Sequence, residues 1–139
     1  QQRFREELSP WFNQSWFFER AKSKPRGYPG DFVMLTALYD EDVKSEGIGR
    51  ILDLYFLQAD LARAVRTRLA DVKQFVIEEV QNREDQVTIL NVASGPGREY
   101  RGEFKEISGQ VTLNCIDSDE SALDHLQKIL IPRLRRRSN

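Results

Sequence analysis

Two stretches decide the fold: Val87-Thr-Ile-Leu-Asn-Val-Ala-Ser-Gly-Pro-Gly97 and Val111-Thr-Leu-Asn-Cys-Ile-Asp117. Each opens with a mostly apolar run of strand length, and near-continuous apolar character suits strands covered on both faces of a parallel sheet. The first run ends in Ser94-Gly95-Pro96-Gly97. Glycine is required there on steric grounds, since a bulky ligand lies against bare main chain only where no Cβ intervenes, and such turns use positive φ. Between the runs, Arg98 to Ile107 predicts a modest helix with Tyr100, Phe104 and Ile107 on one side. Beyond them, Asp119 to about Leu134 predicts a second helix, with Leu123, Leu126, Ile129, Leu130 and Leu134 inward. Residues 87–139 therefore read as strand, helix, strand, helix, an α/β unit.

Asp117 falls at the tip of the second predicted strand, 20 residues beyond Gly97. At that separation an acidic side chain accepts hydrogen bonds from a ribose diol bound over the glycine turn. A dinucleotide site also wants a third small residue three positions past the second glycine, where the pyrophosphate meets the helix N-terminus. That position holds Tyr100, so a nucleoside without phosphates is the better fit.

Upstream, residues 1–86 read as helical. Ser9-Pro10 predicts a helix start, with a hydroxyl to cap free amides and a proline where no N–H is needed. The following Trp11, Phe12, Trp16, Phe17 and Phe18 read as a helix packing into a core or a neighbour, with 11, 15 and 18 sharing a face. Lys22 to Gly30, holding two prolines and two glycines, is a loop, after which Asp31 caps a short helix. Ser45 to Gly49 interrupts again. From Arg50 to about Arg83 there is neither Gly nor Pro, and the apolar spacing from Ile51 through Leu54, Tyr55, Leu61 and Val65 to Val80 fits an amphipathic helix, bent or split once. The expected domains are thus 1–86, a helical cap, and 87–139, a partial cofactor-binding fold.

Composition narrows the class. The 139 residues carry 21 Lys plus Arg against 22 Asp plus Glu, a formal net charge of -1, with 40% hydrophobic residues. A chain of this length buries about 68% of its unfolded surface. No apolar run approaches the ~20 residues of a bilayer crossing, so no membrane association is expected, and near-neutral charge makes nucleic acid an unlikely ligand by design. The single Cys115 cannot form an internal disulfide, which points to a cytoplasmic setting.

Ile89-Leu-Asn-Val-Ala-Ser-Gly-Pro-Gly-Arg-Glu99 resembles the first motif of class I S-adenosylmethionine-dependent methyltransferases, a Rossmann-like family. Val111-Thr-Leu-Asn-Cys-Ile-Asp-Ser-Asp119, followed by Ser121-Ala-Leu123, resembles their second. The resemblance implies S-adenosylmethionine as cofactor, with Ala93, Ser94, Gly95 and Gly97 facing its methionine part. It implies Asp117 on the ribose hydroxyls and Ser118 and Asp119 beside the adenine. Two departures stand out: Asn91 replaces the usual acid, removing a counter-charge for the cofactor's amino end, and Ala93 replaces the first glycine.

The segment Arg20-Ala-Lys-Ser-Lys-Pro-Arg-Gly-Tyr-Pro-Gly-Asp31 is similar to one preceding the catalytic fold in a bacterial subgroup related to 3-hydroxy fatty acid methyl ester biosynthesis. That likeness implies a lid carrying Tyr28 and Asp31, with Arg26 facing an acidic acceptor; the alternative is a helix connector capped by Asp31. A sheet of this family has many more strands than the two found here, and the chain opens on Gln1 without an initiator Met. The expectation is therefore the N-terminal, cofactor-binding portion of a methyltransferase for a small molecule such as a carboxylate. Its catalytic residues would lie beyond Asn139, and the missing strands would follow there, come from a homo-oligomer or a swapped element, or be absent altogether.

Other residues carry less. His125 lies on the polar side of the last helix and has no metal-binding companions, so no metal is expected. Cys115 reads as a small core residue rather than a nucleophile. Arg133, Arg135, Arg136 and Arg137 read as a basic helix end complementing the dipole rather than a phosphate site. Two competing functions remain on the sequence: a non-catalytic helical interaction module on a βαβ scaffold, and an NAD-dependent dehydrogenase fragment, which Tyr100 disfavours.

Overall fold

A computed structural model describes residues 2–134, the side chains of Lys105 and of 131–134 excepted. The inward side chain expected of Leu134 and the basic cluster at 133–137 lie outside the described residues. The chain divides into two compact units, Gln1–Arg66 and Thr67–Asn139. The sequence boundary near 86 marks where helix gives way to strand. The packing boundary lies earlier, because the latter part of one long helix supplies Ile77 and Val80 to the core of the second unit.

The first unit contains α1 (Gln2–Phe12), α2 (Trp16–Ser23), α3 (Phe32–Tyr39), α4 (Gly47–Gln58) and the start of α5 (Asp60–Gln81). Helix α1 does not begin at Ser9-Pro10; it begins at Gln2 and carries Pro10 in its last turn. There it removes the bond its amide would make to the Glu6 carbonyl, and the helix ends two residues later. The chain turns at 13–14, and the N-cap is Ser15, whose Oγ accepts from the Phe18 amide at 3.3 Å. The aromatic run is thereby split between two helices. Phe17 is fully buried and stacks on Phe56 at 4.6 Å, whereas Trp11 and Phe12 stay exposed.

A buried polar knot fixes this unit. Ser15 Oγ donates to Asp53 Oδ1 at 2.5 Å, and Asp53 Oδ2 accepts the amides of Lys44 and Ser45 at 3.2 and 3.0 Å. Both side chains are wholly buried, and a buried carboxylate persists only when donors surround it. The knot joins the start of α2, the segment before α4 and α4 itself. Around it pack Phe17, Met34, Ala37, Leu38, Leu57 and Ala62.

The single predicted helix from Arg50 is split at Ala59, whose ψ of 147° leaves the helical region. The split was foreseen; the orientation of α4 was not. Its buried residues are Gly49, Asp53 and Leu57, and Ile51, Leu54 and Tyr55 face water. Gly47 and Gly49, read as interrupters, belong to the helix. Gly49 is there because α4 touches the backbone after α1: a Cβ at 49 would meet Gln14 O at 2.1 Å.

The second unit holds the rest of α5, β1 (Val87–Val92), α6 (Phe104–Ile107), β2 (Val111–Ile116) and α7 (Glu120–Leu134). The strands pair in parallel, Val87 opposite Val111 through Val92 opposite Ile116. Alternate residues Val87, Ile89, Val111, Leu113 and Cys115 pack on Ile77, Val80, Tyr100, Phe104 and Ile107. The sheet is covered on one face only: Leu90, Val92 and Ile116 on the other are exposed, against the two-sided burial that the apolar runs imply.

The connection between the strands is not one helix. A 3-10 turn at Arg98–Tyr100 gives way to extended Arg101 and to Gly102 at φ +68°, and α6 is a single turn. Tyr100, Phe104 and Ile107 are nonetheless buried together, as their spacing predicts. Among the described side chains of α7, Ala122 and Leu126 are buried. Gly49→Ala is expected to lower unfolding free energy by about 1–3 kcal/mol through overpacking. Gly109→Ala, where a Cβ meets nothing within 4 Å, should stay within about 0.5 kcal/mol. Urea titration of both variants checks the pair.

Candidate functional site

The carboxyl ends of β1 and β2 lie side by side because the strands pair in register, and the glycine turn and Asp117 are their immediate continuations. The Ser94 amide donates to Ile116 O at 3.1 Å, extending the pairing one residue past β1. The chain then folds back through Gly95 and Gly97, both at positive φ, closed by the Gly97 amide donating to Ser94 O at 3.2 Å. Ala93 also has positive φ, +58°. An L-residue pays about 1–2 kcal/mol for that conformation, which glycine would adopt freely.

Asp117 meets this turn directly. Its Oδ2 accepts the Gly95 amide at 2.8 Å and its Oδ1 accepts the Asp119 amide at 2.9 Å. Asp119 Oδ1 in turn accepts the Ser121 amide at 3.0 Å, capping α7. One carboxylate therefore clamps the loop after β1 to the loop after β2. Each of its oxygens has accepted one amide and keeps further lone-pair capacity for an external donor.

The two glycines do different work. At Gly97 a Cβ would meet Leu126 Cδ1 at 2.5 Å, so this glycine admits α7 against the turn. At Gly95 nothing lies within 4 Å of the Cβ position, and open space borders bare main chain. Ala93 and Ser118 are exposed, Ser94 is buried, and Gly95, Asp117 and Asp119 are half-buried. These residues from the second unit come together as the sequence predicts.

The residues of the proline-rich segment lie in the first unit. Asp31 is buried, its Oδ1 accepts the amides of Val33 and Met34 at 3.1 and 3.0 Å, and Arg20 pairs with its Oδ2 at 2.8 Å. It is the cap of α3. The Arg26 guanidinium rests over the Phe32 ring at 4.6 Å. Tyr28 is exposed.

Glu99 has no role in the sequence reading. Asn91 Nδ2 donates to Glu99 Oε1 at 2.8 Å, so a carboxylate stands beside Asn91. Its charge is felt nearby. Burial first, then Glu99, raises the Tyr100 hydroxyl well above its ordinary value of 10.0. Burial and then Glu99 likewise raise the Cys115 thiol above 9.0, the adjacent Ser94 hydroxyl working in the opposite sense. The only sequence signal for Glu99 was its place two residues past Gly97, on a turn aimed back at β1. Cys115 accordingly stays a protonated, half-buried thiol. Tyr100 is a buried neutral phenol packed edge-on to Phe104, at 5.1 Å between ring centroids.

No protein family, curated protein or solved structure matches the chain. Among the described residues no cluster of three or more His, Cys, Asp or Glu could hold a metal, and no helix is long and apolar enough to cross a membrane.

Because Cys115 and Tyr100 titrate higher folded than unfolded, the folded state holds protons that the unfolded chain has lost. Stability they contribute is whole below pH 9.0 and falls as pH rises through 9.0 and then 10.0. Urea midpoints measured across this range should decline, and Tyr100→Phe should flatten the decline above pH 10.0.

Proposed function

We propose that this chain is the cofactor-binding portion of an S-adenosylmethionine-dependent methyltransferase acting on a small molecule. The observation that carries the reading is the Asp117 clamp: a carboxylate at the tip of β2 bonded to the Gly95 amide at 2.8 Å, beside open space over a glycine. A Rossmann-like arrangement puts its ligand at this place, outside the carboxyl ends of parallel strands. The residues fit the group. Asp117 would hold the ribose hydroxyls, Ser118 and Asp119 would border the adenine, and the main chain from Ala93 to Gly97 would border the methionine part.

The Asn91–Glu99 pair repairs the departure at Asn91. The amide holds a carboxylate in reach of that position, so Glu99 would supply the negative charge that the amino end of the cofactor needs. When bound, the cofactor would supply an electrophilic methyl, whose carbon takes the acceptor's lone pair as its bond to the sulfonium sulfur breaks and neutral S-adenosylhomocysteine leaves with that electron pair. The chain's own contribution is alignment: main chain and Asp117 fix one reactant in position, the part of such a reaction that positioning accelerates most. Tyr28 and Arg26 are the candidates for an acceptor-side lid in this reading, with a carboxylate as the acceptor class.

The second reading, a helical interaction module, draws on one observation, the apolar side of α4 that faces water. Calorimetry with S-adenosylhomocysteine separates the two. The methyltransferase reading expects saturable binding that Asp117→Ala weakens by about 10- to 100-fold, the worth of hydrogen bonds to a charged group. Glu99→Gln should weaken it about fivefold, a partly exposed charge being worth about 1 kcal/mol at most. No heat of binding, or an Asp117→Ala variant that binds as the parent does, contradicts it.

A further inference from the structure

One face of α2 borders a cleft of about 430 Å³, within the ~300–1,000 Å³ of small-molecule sites. Trp16, Glu19, Arg20 and Ser23 recur at helical spacing along that face, and Lys44 and Ser45 supply a second wall. The two walls are tied together. Ser45 Oγ accepts the Trp16 amide at 2.8 Å, and the Ser15 hydroxyl and the amides of Lys44 and Ser45 all end on the buried Asp53. A cleft held in this way is formed before a ligand arrives, so little ordering is lost on binding.

The cleft offers both signs of charge. Glu19 is exposed and forms no side-chain hydrogen bond or ion pair among the described residues. Arg20 gives Nε and Nη2 to Asp31, at 2.9 and 2.8 Å, which leaves the Nη1 hydrogens free. Lys44 pairs with Asp42, and because both side chains are exposed that pair holds the ammonium weakly. Ser45 Oγ accepts the Trp16 amide and keeps its own hydrogen to donate. Donors for an anion and an acceptor for a cation therefore border one small space, and Trp16 and Pro25 add apolar wall.

We propose that this cleft binds a free α-amino acid with a large apolar side chain. The ligand's carboxylate accepts from Arg20 Nη1, Lys44 Nζ and the Ser45 hydroxyl, its ammonium donates to Glu19, and its side chain lies along Trp16 and Pro25. A ligand with a single charge leaves the group of the opposite role unmatched, and that cost sets the specificity. A peptide terminus carries only one of the two charges, whereas a free amino acid carries both on one carbon. The site lies wholly within the first unit and does not rest on the cofactor reading.

Titration of the whole chain with L-phenylalanine, followed by nuclear magnetic resonance of its amides and indoles, is the test. Saturable shifts at the Trp16 indole and the Ser45 amide are expected, with a dissociation constant of about 1 mM or below. Phenylpropionate lacks the ammonium and phenethylamine lacks the carboxylate, and each should bind at least about fivefold more weakly. Glu19→Gln should remove the preference over phenylpropionate while leaving phenylpropionate binding itself unchanged. Glu19 is exposed, and an unmoved Leu57 amide in that variant reports an intact core. No shift at Trp16 and Ser45 up to about 10 mM, where a site of that affinity would be mostly filled, overturns the proposal. So does an analogue that binds as tightly as L-phenylalanine, because one charge then suffices. A Glu19→Gln variant that keeps the full preference overturns it as well, because Glu19 then takes no ammonium.

Discussion

The bond from the Gly95 amide to Asp117 is the contact on which the second unit turns. Parallel strands set their carboxyl ends together but leave the two following loops free to diverge. A carboxylate accepting amides from both loops removes that freedom, and charge-assisted bonds of this type are stronger than neutral ones. The backbone conformation at Ala93, Gly95 and Gly97 then follows, since only a chain folded back on itself brings an amide to Asp117. Gly97 adds a second condition, because α7 reaches the turn through the space that its missing Cβ leaves.

The first unit is organised by the same kind of device. Asp53, buried in α4, gathers the Ser15 hydroxyl and the Lys44 and Ser45 amides, and Asp31 gathers the N-terminal amides of α3 together with Arg20. Both are acids that apolar patterning alone would place at a surface. Committing α4 to Asp53 turns its polar position inward and its isoleucines and tyrosine outward. The apolar side of that helix is thus a direct consequence of the buried carboxylate.

Much of the second unit was legible because its signals are local. The apolar runs at 87–92 and 111–116 are strands in register, and the distance from Gly97 to Asp117 is set by the chain length of one crossover. The burial of Tyr100, Phe104 and Ile107 followed from their spacing even though the helix drawn through them is broken at Arg101 and Gly102. What escaped the sequence was non-local. Ser15 replaced Ser9 as a cap because its hydroxyl has Asp53 to bond, 38 residues away. The facing of α4 depended on that same partner. Glu99 was unreadable as a charge beside Asn91 until the turn between them was folded. Asp31 was legible as a cap, and Arg20 as its partner was not.

The most direct measurement is amide-resolved nuclear magnetic resonance of the labelled chain during titration with S-adenosylhomocysteine. Saturable shifts at Gly95, Ser118 and Asp119, with the amide of Leu57 in the first core unmoved, are the predicted result. A titration that leaves Gly95 and Asp119 where they began would contradict the claim that the bare turn and the Asp117 carboxylate form one adenosine-binding surface.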